Sequence, residues 1–212
     1  MAKVITIAQQ KGGAGKTSLA IHLATEWARS KKQVCLIDCD PQGSAAGWAA
    51  FRRATEGQLP SLDFRAVEGW KVPGEIGSAG RNSDIVIVDT PPHAETAARG
   101  AMRAADLVLT PMQPTPMDLW ATKASLEMAE AEKVPALVVF NRVPPRGKVA
   151  EAVMAELKSM GTKAATTTLG NRQAFVQSLE QGLGVTEAFG RSLAAQEVKA
   201  LVKELNRRLA RL

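Results

Sequence analysis

The chain is poor in the residues that metal centres, hydrolytic triads and membrane spans require. It has two cysteines and two histidines in 212 residues. Cys35 and Cys39 match no zinc or iron–sulfur spacing, and two thiols cannot supply a four-thiolate site. They read as small buried hydrophobes in a reducing compartment. His22 and His93 stand alone, as structural or surface residues, and nothing resembles a Ser/His/Asp arrangement. No apolar run reaches the roughly 18 residues of a bilayer span. Met1–Ile7 is a short alternating run without the apolar centre of a secretory leader. No Ser/Gly/Pro-rich linker and no 20–50-residue repeat interrupts the chain. With 45% hydrophobic and 23% charged residues, the expectation is one globular domain spanning residues 1–212, with a core that needs no disulfide or metal.

Short apolar runs alternate with helical stretches. Strands are expected at Val4–Ala8, Val34–Asp38, Leu62–Val67, Ile85–Val88, Leu107–Thr110, Ala136–Phe140 and Lys163–Thr168. Helices are expected near Lys16–Ser30, Ala45–Arg53, Ala94–Ala105, Met117–Glu132, Val149–Met160, Asn171–Gln181 and Ser192–Leu212. Strands apolar on both faces, separated by helices, predict an α/β fold with a mostly parallel sheet and helices on both faces. Ligands of such sheets bind at the carboxyl ends of strands, so the chemistry is sought there.

Directly after the first strand runs Gln9-Gln10-Lys11-Gly12-Gly13-Ala14-Gly15-Lys16-Thr17-Ser18. A strand, a glycine-rich loop and a helix start in series are the setting of a phosphate cradle. Residues Gly12, Gly13, Ala14, Gly15, Lys16, Thr17 and Ser18 are the candidate nucleotide contacts. Lys16 can reach the outer phosphates of ATP, and the Thr17 hydroxyl can ligate Mg²⁺. The fold expected is therefore a P-loop NTPase. The second strand ends in Asp38-Cys39-Asp40-Pro41-Gln42, and two carboxylates beside a phosphate loop suit magnesium binding and water positioning. The alternative for Asp40 is a simple helix cap before Pro41. Ile85-Val86-Ile87-Val88-Asp89 places an acid at a strand end, where Asp89 can accept from a magnesium-bound water next to Thr17. Asn141, after the strand Ala136–Phe140, can both donate to and accept from an adenine edge, or simply form a turn before Pro144-Pro145.

The motif Lys11-Gly12-Gly13-Ala14-Gly15-Lys16-Thr17 departs from the general phosphate-loop pattern at Gln10. It resembles the deviant Walker A motif of the ParA/MinD family of ATPases. Asp38-Cys39-Asp40-Pro41-Gln42 and Asp89-Thr90-Pro91-Pro92 are similar to further family segments, so the likeness covers nearly the whole chain. The resemblance implies that Lys11 crosses a dimer interface to the partner's nucleotide. It implies that Asp40 orients the attacking water, that Asp38 orders the loop and metal shell, and that Asn141 meets the base. Pro111–Thr115 resembles a segment near the nucleotide and dimer face, without assigned chemistry. Together, Lys11, Asp-Pro-Gln and Asp-Thr-Pro-Pro resemble the ParA-type partition ATPases, and the chain looks like their short type; the resemblance implies an ATP-bound homodimer that binds DNA nonspecifically. A cargo-bound partner protein then stimulates hydrolysis, in the cytoplasm and on the nucleoid.

The charge distribution fits that expectation. The formal net charge is +6, yet residues 1–140 hold 15 basic and 15 acidic side chains, while residues 141–212 hold 12 and 6. The excess lies in the last third, where a polyanion-binding face is expected; a basic tail kept for solubility is the plainer alternative. Arg172, Arg191, Lys199, Lys203, Arg207 and Arg211 are the candidate DNA contacts. In the last helix, Val198, Leu201, Val202, Leu205, Leu209 and Leu212 share one face, and Lys199, Lys203, Arg207 and Arg211 share another. A helix docked on the core with a solvated basic face is the common meaning of this pattern. A membrane-surface ATPase of the MinD kind ranks below DNA binding, because the apolar face carries no Trp or Phe anchor. A P-loop metabolic ligase or kinase is the other alternative, and the cysteine count excludes an iron–sulfur ATPase.

Overall fold

The computed structural model describes residues 2–55, 59–92 and 95–212. His93 and Ala94, expected as a structural residue and a helix start, lie outside the described residues. Six strands form one sheet: β1 (Lys3–Ile7), β2 (Val34–Asp38), β3 (Asp63–Ala66), β4 (Ile85–Asp89), β5 (Leu107–Met112) and β6 (Ala136–Phe140). Their order is β3-β2-β4-β1-β5-β6 and every pairing is parallel. The four central strands are apolar on both faces because helices cover both.

One face carries α1 (Lys16–Arg29), α2 (Ser44–Ala54), α7 (Gln173–Glu180), α8 (Val185–Ala188) and α9 (Leu193–Leu209). Its core is Ile5, Ile7, Leu36, Ile87 and Leu109 of the sheet against Leu19, Leu23 and Trp27 of α1 and Leu201 and Leu205 of α9. The other face carries α3 (Val72–Ala79), α4 (Glu95–Arg103), α5 (Pro116–Ala131) and α6 (Lys148–Ser159), packed on the alternate residues Val4, Ile37, Val86, Val108 and Val138. Cys35 and Cys39 are buried here, and burial pushes both thiols up to about 12, as inert apolar side chains.

Two differences from the sequence expectation have physical causes. Lys163–Thr168 does not form a seventh strand. It meets β6 through one isolated bridge, Val138 with Ala164, in which the Val138 amide donates to Lys163 O and the Ala165 amide donates to Val138 O. The amides of Thr166 and Thr167 donate instead to the Glu204 carboxylate of α9, 3.0 Å away, and the Thr166 hydroxyl does so at 2.8 Å. Burial alone would raise that carboxyl, but these bonds and one from Arg208 outweigh it and hold it at about 2. The second difference is α3, preceded by a single 3-10 turn at Gly69–Lys71. Pro73, Gly74 and Gly77 are poor helix formers, and burial of Val72, Ile76 and Ala79 on one face overrides them.

On the first face, α9 meets α1 through a 2.8 Å bond from Trp27 Nε1 to Asn206 Oδ1. Gly184 begins α8 against α1 at a point where a Cβ would collide with Thr25. His22 is 1% exposed, its ring tilted 53° against that of Phe175 with centroids 5.1 Å apart, and its Nδ1 accepts from the Val185 amide. Burial depresses its pKa to about 3. The unfolded chain therefore takes up a proton that the folded chain refuses. The His22 contribution is whole above the unfolded value near 6.5 and is lost as pH falls toward about 3, at up to about 1.4 kcal/mol per pH unit. Thermal melts of wild type and His22→Asn at pH 7.5 and 5.0 check this: the wild type should lose more stability across the interval than the variant.

Candidate functional site

The sheet order explains why motifs far apart in sequence meet. β2, β4 and β1 are adjacent, and their register sets Asp38 opposite Asp89 and Asp89 opposite Ile7. The loop after β1, the turn after β2 and the end of β4 therefore open on the same crevice at the carboxyl edge of the sheet.

The loop is shaped by Gly15, the residue before α1. Its backbone is left-handed, with φ 92°, and a Cβ there would collide with the Asn141 carboxamide. Glycine alone meets both demands. It also leaves the start of α1 without a side-chain cap, so the first amides of the helix are available to an anion. Three side chains fasten the loop from outside. Gln113 and Arg142 each donate to Gly13 O at 3.3 Å, and Asn141 Nδ2 donates to Ala14 O at 3.0 Å. Carbonyl and amide of a trans peptide point in opposite directions. Holding those carbonyls against the β5 and β6 ends turns the following amides, those of Ala14 and Gly15, the other way. At the loop entrance, buried Gln9 donates to Pro111 O and Thr122 and accepts from Ser125.

Lys16, Thr17 and Asp40 line one cleft with Gly12 and Gly13. Burial lowers the Lys16 pKa, against the pull of Asp89 and Asp40. Asp89 is fully buried and neither of its oxygens has a hydrogen-bond partner among the described residues. Burial pushes its carboxyl up to about 7, against the Thr17 hydroxyl and Lys16 nearby. An orphaned acid beside a hydroxyl, at a phosphate loop, fits a hard cation that keeps most of its waters. Asp38 is placed otherwise. Its oxygens accept from the amides of Asp40 and Ala46 at 3.0 and 3.2 Å, although burial raises its pKa. Its geometry is that of a loop-ordering acid, and Asp89 remains the carboxylate open to metal. Asp40 accepts from the Gln42 amide at 2.9 Å. The helix cap of α2 is Gly43, so the plain capping alternative for Asp40 does not hold.

A second cleft lies on the other side of the loop, lined by Ser18, Leu19, Asn141, Gly170, Asn171 and Phe175. Asn141 shares its carboxamide between Ala14 O and the Arg142 amide, which leaves one N–H and one lone pair for a base. Arg172 borders this cleft and is paired to Glu197 at 2.6 Å. Expected as a DNA contact alongside the α9 stripe, it already has its charge opposed by Glu197. Arg191, Lys199, Lys203, Arg207 and Arg211 are exposed. Lys199 donates to Gly190 O, and Arg207 and Arg211 flank a groove with Arg208, Thr166 and Glu204. Leu212 lies beyond the end of α9 and is exposed, outside the apolar face. Lys11 stands on the loop rim, 35% exposed, with Nζ 2.8 Å from Asp118.

The CobQ/CobB/MinD/ParA nucleotide binding domain matches residues 5–202. The chain belongs to this family. It is an ATPase of the ParA/MinD kind. It is 30% identical over 210 residues to the maintenance of carboxysome distribution protein A of Halothiobacillus neapolitanus, covering 95% of each chain. It is 32% identical to protein ParA of Rhizobium radiobacter, covering 81% of this chain and 80% of that one. The structure of Cyanothece apo McdA superposes with a TM-score of 0.80 at 18% identity, over 97% of this chain and 100% of that one. That of septum site-determining protein MinD of Pyrococcus horikoshii, complexed with Mg-ADP, gives 0.75 at 18% identity over 97% and 96%.

Gln9, Gln113, Arg142 and Asp118 escaped the sequence reading. Gln9 and Arg142 adjoin recognised motifs, but their partners are more than 100 residues away, and no local pattern announces them. The unpaired Asp89 carries a testable consequence. Its carboxyl is raised, so the folded state of the nucleotide-free protein loses stability as pH rises from about 4 to about 7. Asp89→Asn removes the buried unpaired charge. It should stabilise that state at pH 7.5 by about 1–3 kcal/mol, read as a higher melting temperature, while the benefit of added Mg-ATP disappears.

Proposed function

We propose that this chain is a ParA-type positioning ATPase, with residues 1–212 acting as one ATPase domain. Its ATP-bound homodimer binds DNA nonspecifically, and a cargo-attached partner protein stimulates hydrolysis. The observation that carries this reading is the convergence of Lys16, Thr17, Asp40 and the unpartnered Asp89 on the uncapped start of α1, with Lys11 on the same rim. Gly12–Ser18 would hold the phosphates of ATP, and Thr17 and Asp89 would hold magnesium, which neutralises phosphate charge when bound. Asp40, turned into the cleft beside Lys16, orients the attacking water. Lys11 reaches the partner's nucleotide, and Asn141 contacts the base with its remaining donor and acceptor.

The relatives named for carboxysome distribution and for ParA support a cargo-positioning role. A plasmid, a chromosome region or a protein assembly fits it equally, in the cytoplasm and on the nucleoid. DNA binding rests on the exposed stripe Lys199, Lys203, Arg207 and Arg211 with Arg191. The apolar face of α9 is buried at Val198, Leu201, Val202, Leu205 and Leu209. That supports the DNA reading over a membrane-surface role, because a helix engaged with α1 offers lipid only its charged side. Among the described residues no helix is long and apolar enough to cross a membrane.

Two measurements test this reading. Lys11→Ala should still bind ATP but form no ATP-dependent dimer in light scattering, whereas Lys16→Ala should weaken nucleotide binding itself. Unchanged dimers in Lys11→Ala would remove the crossing role. Affinity for random-sequence duplex, followed against salt, should fall steeply in ATP and be nearly absent in ADP. Joining two modest patches raises affinity by orders of magnitude, and the log–log slope should flatten by about one per phosphate contact removed in each protomer. Equal binding in both nucleotides overturns the DNA assignment.

A further inference from the structure

We propose that Asp118 withholds Lys11 from the partner's nucleotide, so that the lysine is released only against a triphosphate. This rests on the reading of Lys11 as the residue that crosses the dimer interface.

The pair is unlike the other lysine pairs among the described residues. Lys3, Lys32 and Lys71 meet acids that are themselves a third or more exposed, whereas Asp118 is 2% exposed. Pro116 and Met117 open α5, and Thr115 caps it by accepting from the Asp118 amide at 3.2 Å. This fixes Asp118 in the first helical turn, where the helix favours a negative charge. One carboxylate oxygen receives the Lys11 ammonium at 2.8 Å and the Thr115 hydroxyl; the other is buried without a partner among the described residues. The acid is thus buried, and among the described residues Lys11 is the one basic side chain paired with it. Departure of Lys11 strands a buried carboxylate, which is strongly unfavourable. The lysine therefore leaves only when another anion attracts it more strongly than Asp118 does. The additional negative charge of a triphosphate over a diphosphate makes that competition sensitive to the γ-phosphate. A ligand shifts such an equilibrium only by its differential interaction with the two states. Gln9 adds a second hold, because its side-chain oxygen lies 3.4 Å from the Lys11 amide and keeps the loop entrance in place while the side chain is captive.

The test uses the full chain and the variants Asp118→Asn and Asp118→Glu. Reductive methylation of the nucleotide-free protein, read by mass spectrometry against the exposed Lys31 and Lys133, measures how far Lys11 is held. Asp118→Asn should raise Lys11 reactivity, and Asp118→Glu, which keeps the charge, should stay near wild type. In light scattering, Asp118→Asn should dimerise at about five-fold or more lower ATP, and detectably in ADP. Unchanged Lys11 reactivity, or an Asp118→Asn protein that dimerises less readily than wild type, overturns the proposal. If Lys11→Ala is monomeric while Asp118→Asn matches wild type in both nucleotides, the withholding role alone fails. If Lys11→Ala dimerises like wild type, the crossing role fails and this proposal with it.

Discussion

Parallel pairing of β1, β2 and β4 levels the carboxyl ends of three strands, and the functional geometry depends on that register. Asp89 stands beside both Ile7 and Asp38, so the phosphate loop, the Asp40 turn and the buried acid share one crevice. A one-residue slip of β4 would turn Asp89 to the opposite face, replace it at the crevice with an apolar side chain and bury its charge under a helix. The strands resist this because alternate residues interlock with different helices on the two faces, so a slip would disrupt close packing on both sides. Register is held by two cores at once.

The site is maintained at a cost in stability. Asp89 is buried without a hydrogen-bond partner among the described residues, Lys16 is held against its own desolvation, and Gly15 holds a left-handed backbone where a Cβ would collide with Asn141. Compensation comes from polar contacts that do no chemistry. Asn141, Gln113 and Arg142 hold the loop carbonyls, and Gln9 joins the loop entrance to α5. Strained or unpaired groups persist where their surroundings over-determine them. These side chains reach the loop from β5, β6 and α5, so the folding of the far half of the sheet prepares the phosphate site.

The C-terminal third divides its polar residues between two tasks. Glu204 and Glu197 face inward: the first captures the backbone of Thr166 and Thr167, the second captures Arg172. Of the bases on α9, Arg208 pairs with Glu204, whereas Lys199, Lys203 and Arg207 are exposed. Net charge along a sequence does not reveal which positive groups already have a partner, and for this reason Arg172 and the α9 stripe looked alike until the fold separated them.

Local pattern in the sequence determined the elements and the chemistry nearest the backbone: the apolar runs of the strands, the glycine loop, the acids Asp38 and Asp89 that end two of the strands, and Asp40 in the turn after the first of these. Each depends on neighbours within a few residues, as does Gly15, whose conformation is itself the motif. Only the tertiary structure decided the rest. Residues 163–168 failed to join the sheet because Glu204, almost 40 positions later, took their amides. The helix Val72–Ala79 formed despite proline and glycine because the core needed Val72, Ile76 and Ala79 on one side. Lys11 found Asp118 across 107 positions. A side chain's partner is set by the path of the whole chain, and burial sets the strength of the pair. Neither is a local property of the sequence.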